Sequence, residues 1–256
     1  DGDDFIDAAF LKHLLDASDR GASDLTVAGK LFCDRFPPDK IPALPTCGIF
    51  LRREFPLKNN LEFPEGIHPC EDGLFSHFVL ALTEKISFCP EAVYHYRQHE
   101  QGNHHQIRKR TADILPMIPR WLSLIEEFYE QRHLWKRKAG HLVRFIEHEP
   151  FELRLLGMPF SPPEQEILYS IIRDFLNAHC TAAECRRASL HLPFRLLLQS
   201  SGFSDFGRRL RRAGKNTGIR RKLLHFCPVP SWRRNGRARL RQVREQLEEI
   251  RRNITF

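Results

Sequence analysis

The spacing of apolar and polar positions changes along the chain and separates three regions. From residue 1 to about 106, short apolar runs are interrupted by Pro, Gly and Asn, which is typical of a mixed α/β segment with long loops. From Thr111 to Gln199, apolar residues recur at helical spacing. The last fifty residues carry an apolar stripe among many arginines. We therefore predict three domains, at residues 1–106, 107–206 and 207–256.

The same spacing predicts individual elements. Helices are expected at Phe5–Ala17, Asp72–Thr83, Ile114–Tyr129 and Leu134–Glu147. Another helix should begin at Ser161, where a serine cap precedes two prolines and an early glutamate. Strands are expected at Cys47–Arg52 and Lys85–Cys89. In the helical region we expect three large aromatic side chains to belong to the core, Trp121, Tyr129 and Trp135.

Composition and charge change this picture at one end of the chain only. The 256 residues are 41% hydrophobic, enough for a packed core, and no run approaches the roughly eighteen apolar residues of a membrane span. The formal net charge is +8, yet residues 207–256 contain sixteen Lys and Arg against three Asp and Glu. This tail is a solvated surface, a contact for anionic lipid, or a nucleic-acid contact. Nucleic acid is the least favoured, because regular aromatic interleaving and standard recognition motifs are missing.

Seven cysteines form an odd and scattered set in a chain too large to need disulfides, which fits a reducing cytosol. Cys180 and Cys185, with His179 and His191 nearby, resemble a metal site only weakly. Zinc pairs usually have tighter spacing and a second pair.

Acidic residues are concentrated at two places. Asp1 and Asp3 flank Gly2 in a tight turn that leaves room for a diphosphate, and Asp4 follows as a supporting residue. Glu71 and Asp72 open a predicted helix, where the helix dipole favours an ionised carboxylate able to accept a proton. Each cluster also has a simpler interpretation, as a surface turn and as ordinary helix capping.

A third stretch is rich in histidine. After a predicted strand, Val93–His99 and the following Gly102–His105 form a basic loop that could fold over a phosphate group. A neutral His99 or His104 could also complete the coordination of a metal. The simpler interpretation is a solvated turn.

The order of these motifs carries more information than any one of them. They are Asp1–Ile6, Cys47–Glu54, Asn60–Ile67, Glu71–Phe75 and Tyr94–Arg97. In this succession they resemble the second half of the catalytic domain in family 2 glycosyltransferases of the GT-A type, as in bacterial members that decorate surface polysaccharides. The resemblance covers roughly residues 1–106.

The resemblance implies roles for individual residues. Asp1 and Asp3 would bind a divalent cation, Mg or Mn, that bridges the diphosphate of a nucleotide-sugar donor. Asp72 corresponds to the base that deprotonates the acceptor hydroxyl, and Glu71 would assist acceptor binding or orient that base. In this family a loop closes over the donor phosphates where this chain has Arg97, His99 and His104.

The resemblance also implies a fold and a setting. We expect an α/β fold, a partial GT-A domain lacking its N-terminal nucleotide-binding half, followed by a mostly α-helical region. The chain would then be a fragment or the product of a truncated gene, and inactive in isolation. The reaction implied is inverting sugar transfer to a glycan or lipid-linked acceptor in cell-surface polysaccharide biosynthesis. The enzyme would be cytoplasmic and peripheral at the inner face of the plasma membrane, since the basic tail suits an anionic surface.

Two other functions compete with this interpretation. The first is a noncatalytic protein that binds nucleic acid or membrane through the arginine-rich tail. It explains the charge but nothing in the first hundred residues. The second is a degenerate transferase that acts as an assembly partner through its last helix.

Overall fold

The computed structural model describes residues 4–97, 107, 110–223, 241 and 243, with side chains of the last long helix described through Lys215. The chain is mixed α/β and mostly helical, and divides into two compact units, Asp1–Glu149 (unit 1) and Pro150–Phe256 (unit 2). Unit 1 contains β1 (Phe5–Ile6), α1 (Phe10–Gly21), β2 (Leu25–Ala28), α2 (Lys30–Arg35), β3 (Ile49–Leu51), α3 (Glu54–Lys58), α4 (Glu71–Leu82), β4 (Ile86–Cys89), β5 (Tyr94–His95), α5 (Thr111–Ile114), α6 (Met117–Gln131) and α7 (Trp135–Ile146). A π-helix, Glu147–Leu156, includes the division, and unit 2 continues with α8 (Pro162–His179), α9 (Ala182–Ala188), α10 (Leu192–Gln199) and α11 (Phe203–Leu223).

A three-stranded sheet lies in unit 1, with β2 between the other two strands. β3 pairs with β2 in antiparallel orientation and β4 pairs with it in parallel orientation, so that Val27 lies opposite both Ile49 and Phe88. All four residues of β2 are buried, which explains why this strand shows no alternation of polar and apolar residues. The strands predicted at Cys47–Arg52 and Lys85–Cys89 are confirmed as β3 and β4.

A second, two-stranded sheet joins the start of the chain to β5. Phe5 pairs with His95 and Ile6 with Tyr94 in antiparallel register. The prediction of one helix over Phe5–Ala17 is therefore wrong at its beginning, because cross-strand pairing with β5 holds Phe5 and Ile6 extended. Helix α1 begins only at Phe10 and buries Phe10, Leu14 and Ala17.

Helix α4 is the central helix of unit 1. It confirms the helix predicted at Asp72–Thr83, and every residue from Gly73 to Ala81 is buried. A helix that is apolar around its whole circumference must be enclosed by other elements. Helices α6 and α7 pack against it, so the core of unit 1 extends beyond the domain boundary predicted at residue 106.

Polar side chains connect α4 to α6 and α7 inside this core. His77 Nδ1 lies 3.2 Å from the carbonyl oxygen of Pro42, and its Nε2 lies 3.1 Å from Tyr129 Oη. Because a carbonyl only accepts, His77 donates from Nδ1 and accepts from Tyr129 at Nε2. Tyr129 Oη lies 3.4 Å from His141 Nδ1, and the two histidine rings stack with centroids 4.2 Å apart. Trp121 and Tyr129 are fully buried, which confirms their predicted place in the core.

The helix predicted over Ile114–Tyr129 is divided into α5 and α6 at Leu115 and Pro116. Proline has no backbone N–H to donate, so the hydrogen-bond ladder is interrupted there although Leu115 and Pro116 keep helical dihedral angles. The helix predicted at Leu134–Glu147 is confirmed as α7.

Unit 2 is built from helices around an aromatic core. Phe151, Phe194 and Phe206 are fully buried, and the ring of Phe151 lies 5.0 Å from that of Phe194. Helix α8 begins after Ser161 as predicted, with a capping box formed by Ser161 and Glu164. Among the helices that the structure describes, none has the length and apolar character needed to cross a bilayer.

Candidate active site

Asp4, the last residue of the predicted acidic turn, is anchored at β5. The two carboxylate oxygens of Asp4 accept hydrogen bonds from Tyr94 Oη at 2.8 Å and from the backbone N–H of Arg97 at 2.9 Å. The pairing of β1 with β5 places these groups together, although they are about ninety residues apart in sequence. The supporting role of Asp4 beside a metal stays a prediction. Asp1 and Asp3 lie outside the described residues.

Arg97 lies on an exposed aromatic face of the β1–β5 sheet. Its guanidinium is 5.6 Å from the centre of the Phe5 ring, which stacks on His95 at a centroid distance of 4.2 Å. His95 Nε2 lies 2.8 Å from Asp7 Oδ1. Arg97 thus lies next to Asp4, and its contact with donor phosphates stays a prediction. His99 and His104 lie outside the described residues.

Asp72 occupies the first turn of α4. Its Oδ1 accepts a hydrogen bond from the backbone N–H of Gly73 at 2.7 Å. Burial raises the pKa of Asp72 above its usual value; the Gly73 hydrogen bond opposes this effect, and the charges of Glu149 and Glu71 add to it. No salt bridge joins Asp72 to a Lys or Arg in the described part of the chain. A carboxylate with a raised pKa and no cationic partner is suited to accept a proton.

Glu71 lies beside Asp72 and faces a histidine. Its Oε1 is 3.3 Å from His68 Nδ1, whereas Oε2 is buried and has no hydrogen-bond partner among the described residues. Such an oxygen has capacity for a further donor, such as a hydroxyl group. The predicted role of Glu71 in acceptor binding remains a prediction.

Cys47 links the two acidic regions. Burial raises the pKa of its thiol, and the charges of Asp72 and Asp4 both contribute to the increase. Both carboxylates are therefore within electrostatic range of this one side chain, Asp4 from the start of the described chain and Asp72 from α4. From the sequence, Cys47 is expected at the start of a strand and is given no place in the site.

Glu149 is a further carboxylate that the sequence did not indicate. It lies in the first turn of the π-helix, is only 6% exposed, and approaches α4 at Gly73. The available signal was Glu147-His148-Glu149, a charged run between an amphipathic helix and Pro150. Such a run normally predicts an exposed helix end, but all three residues are buried.

No group of three or more His, Cys, Asp or Glu side chains suited to a metal occurs in the part of the chain that the structure describes. At the weakly indicated metal site, Cys180 and Cys185 contact each other. The thiols of Cys180 and Cys185 hydrogen-bond to each other, which raises the pKa of Cys180 and lowers that of Cys185. His191 Nε2 lies 3.3 Å from Glu152 Oε1.

Most of the described residues of the basic tail lie in α11, whose side chains are described through Lys215. The apolar residues Phe203, Phe206 and Leu210 are buried in unit 2. Asp205 binds Arg208 and Arg209 at 3.1 and 2.7 Å. Four basic side chains on α11 are exposed, Arg208, Arg211, Arg212 and Lys215. A basic face suits an anionic partner, and the contact with a membrane surface stays a prediction.

Comparison with known proteins adds no family assignment. No protein-family model matches the chain, and a search of curated proteins finds no significantly similar sequence.

Proposed function

We propose that this chain forms part of an inverting glycosyltransferase that uses a nucleotide-diphosphate sugar. The observation that carries the proposal is that the charges of Asp4 and Asp72 both act on one side chain, Cys47. It supports a shared site between the acidic turn and the first turn of α4. The transfer reaction requires a site that binds the donor diphosphate at one side and the acceptor hydroxyl at the other.

In this mechanism Asp72 removes the proton from the acceptor hydroxyl. The hydroxyl oxygen forms a bond to the anomeric carbon as the bond from that carbon to the diphosphate oxygen breaks, which inverts the configuration. The raised pKa of Asp72 supports this role, because a carboxylate that binds protons more strongly is a better base. Glu71 offers a buried oxygen without a partner among the described residues, suited to accept from another hydroxyl of the acceptor.

The donor side rests on the acidic turn and Arg97. Asp1 and Asp3 would hold Mg²⁺ or Mn²⁺, which supplies charge stabilisation at the diphosphate. The contacts of Asp4 fit this arrangement, because its two oxygens accept from Tyr94 of β5 and from the backbone of Arg97 just after it. Arg97, fixed by its backbone bond to Asp4, presents a cation suited to a phosphate oxygen. The acceptor class proposed is a glycan or lipid-linked glycan.

The proposal predicts that binding of a nucleotide-diphosphate sugar depends on a divalent cation. We would measure saturation-transfer NMR of UDP-glucose and GDP-mannose with the 256-residue chain, with and without Mg²⁺, and the broadening of protein signals by Mn²⁺. Signals near Asp4 and Cys47 should broaden first, because the cation would sit beside the acidic turn. Asp3→Asn should abolish both effects.

Asp16→Asn is the matched control, because Asp16 is an exposed carboxylate of α1 in the same unit. This variant should bind as the parent chain does. Binding that ignores the cation, or that survives Asp3→Asn unchanged, would contradict the proposal.

A further inference from the structure

The first turn of α4 receives a carboxylate from outside the region of family resemblance. Glu149 projects from the π-helix and is only 6% exposed. Its Oε1 approaches the backbone of Gly73. A β-carbon built on Gly73 would lie 3.1 Å from Glu149 Oε1 and 2.9 Å from Cys70 Sγ. A side chain at this position would therefore displace Cys70 Sγ or the Glu149 carboxylate from where they lie. Gly73 thus permits the approach of Glu149 to the backbone next to Asp72.

The π-helix provides the geometry for this approach. Pro150 lies inside it and has no backbone N–H, so normal α-helical bonding is interrupted directly after Glu149. Wide turns of this kind are often found at functional sites. Glu147 and His148, in the same turn, are also buried, at 2% and 9% exposure.

We infer that Glu149 is a positioning residue for Asp72: its buried carboxylate, held beside Gly73, makes Asp72 a stronger acceptor for the proton of the incoming hydroxyl. This inference rests on the base role of Asp72 under the proposed function. A negative charge near Asp72 in a poorly solvated region opposes the ionisation of Asp72, so Asp72 holds a proton more strongly. The step itself is unchanged, since the proton moves from the acceptor oxygen to Asp72 alone.

Among the described residues, two further ionisable groups interact electrostatically with Asp72. They are Glu71 in the same helix and Cys47 in the short turn before β3. The backbone N–H groups of Gly73 and Thr46 favour its ionised form. Glu149, by contrast, is an acidic neighbour of Asp72 from another segment of the chain. It can be substituted without mutating any residue of α4.

A purely structural role for Glu149 makes a different prediction. A carboxylate near the start of α4 also stabilises the helix dipole. Its loss would then lower the stability of the unit but leave the titration of Asp72 where it was. The two interpretations therefore differ in the titration midpoint of one carboxyl group.

The test is a carbon-detected NMR titration of aspartate carboxyl groups in the 256-residue chain. The signal of Asp72 is identified by its loss in Asp72→Asn. In Glu149→Gln the midpoint of Asp72 should shift to lower pH, because a negative neighbour has been removed. Glu149→Asp keeps the charge but withdraws it by one methylene group, so its midpoint should lie between those of the parent and Glu149→Gln.

Glu147→Gln is the matched control. It neutralises another buried carboxylate of the same π-helix, one that interacts with Arg144, and it should leave the Asp72 midpoint in place. An unchanged midpoint in Glu149→Gln, or in Glu149→Asp if the glutamine variant does not fold, overturns the inference. Equal shifts in Glu149→Gln and Glu147→Gln also overturn it. The titration needs no ligand, so these results are separate from the binding test of the proposed function.

Discussion

Ionisable side chains are buried in unit 1, whereas the described buried polar residues of unit 2 are uncharged. Unit 1 encloses His77, His141 and the three residues Glu147, His148 and Glu149. The corresponding residues of unit 2 are Gln165, Ser189 and Ser200. Burying an ionisable group is costly unless it is paired or neutral, and perturbed groups of this kind concentrate at functional sites. We therefore assign the proposed chemistry to unit 1, whereas unit 2 is a helical structure with a buried aromatic core.

The largest effect that tests this comparison should come from the core of unit 2. Phe206 is fully buried, with its ring 6.1 Å from Phe151 and 5.9 Å from Tyr169. Phe206→Ala should lower the free energy of unfolding by about 3–5 kcal/mol, because the truncation leaves a cavity. Hydrogen exchange should then become faster in α8. Peptides from α4 serve as the internal control, and equal acceleration there would contradict a separate core for each unit.

A smaller effect should appear in unit 1 when the pH is lowered. Burial lowers the pKa of His77 to about 3 and that of His141 well below its usual value. The unfolded chain binds these protons from about pH 6.5 downward, whereas the folded chain resists them. The free energy of unfolding should therefore fall between pH 6.5 and pH 3, by at most about 1.4 kcal/mol per pH unit for each histidine.

Urea denaturation at several pH values measures this dependence. His77→Phe should reduce the slope even though it removes the hydrogen bonds to Pro42 and Tyr129. His133→Asn is the control, because His133 is exposed and its positive φ of 53° suits asparagine. A slope that His77→Phe leaves unchanged would show that this buried pair does not determine the acid sensitivity.

The spacing of residues along the chain correctly predicted those helices and strands that are determined by neighbouring residues. The apolar spacing of α4 predicted that helix correctly, and Ser161 with the two prolines that follow it predicted the start of α8. Both signals depend on neighbours within a few residues. Phe5 and Ile6 were assigned to a helix because their spacing to Ala9 allows it. Pairing with β5, far along the chain, outweighs that weak preference.

The candidate site shows the same limit. Glu71 and Asp72 could be selected from sequence because they open a helix. The joint effect of the Asp4 and Asp72 charges on Cys47, and the approach of Glu149 to Gly73, arise only from tertiary packing. The sequence spacing of residues 73 and 149 does not predict their contact. A glycine within a helix also occurs for other reasons, so Gly73 alone does not indicate it. The role of Asp72 as a base stays a prediction.

The smallest effect should come from the start of α8 in unit 2. The hydroxyl and the backbone N–H of Ser161 both donate to Glu164 Oε2 at 2.7 Å. Ser161→Ala should lower the free energy of unfolding by about 1 kcal/mol, since a helix cap is lost. Ser170→Ala, at an exposed position of the same helix, should cost nothing, because alanine favours helix. Hydrogen exchange at the beginning of α8 measures both variants. Equal costs would mean that the capping box contributes little, and that apolar packing alone stabilises this helix.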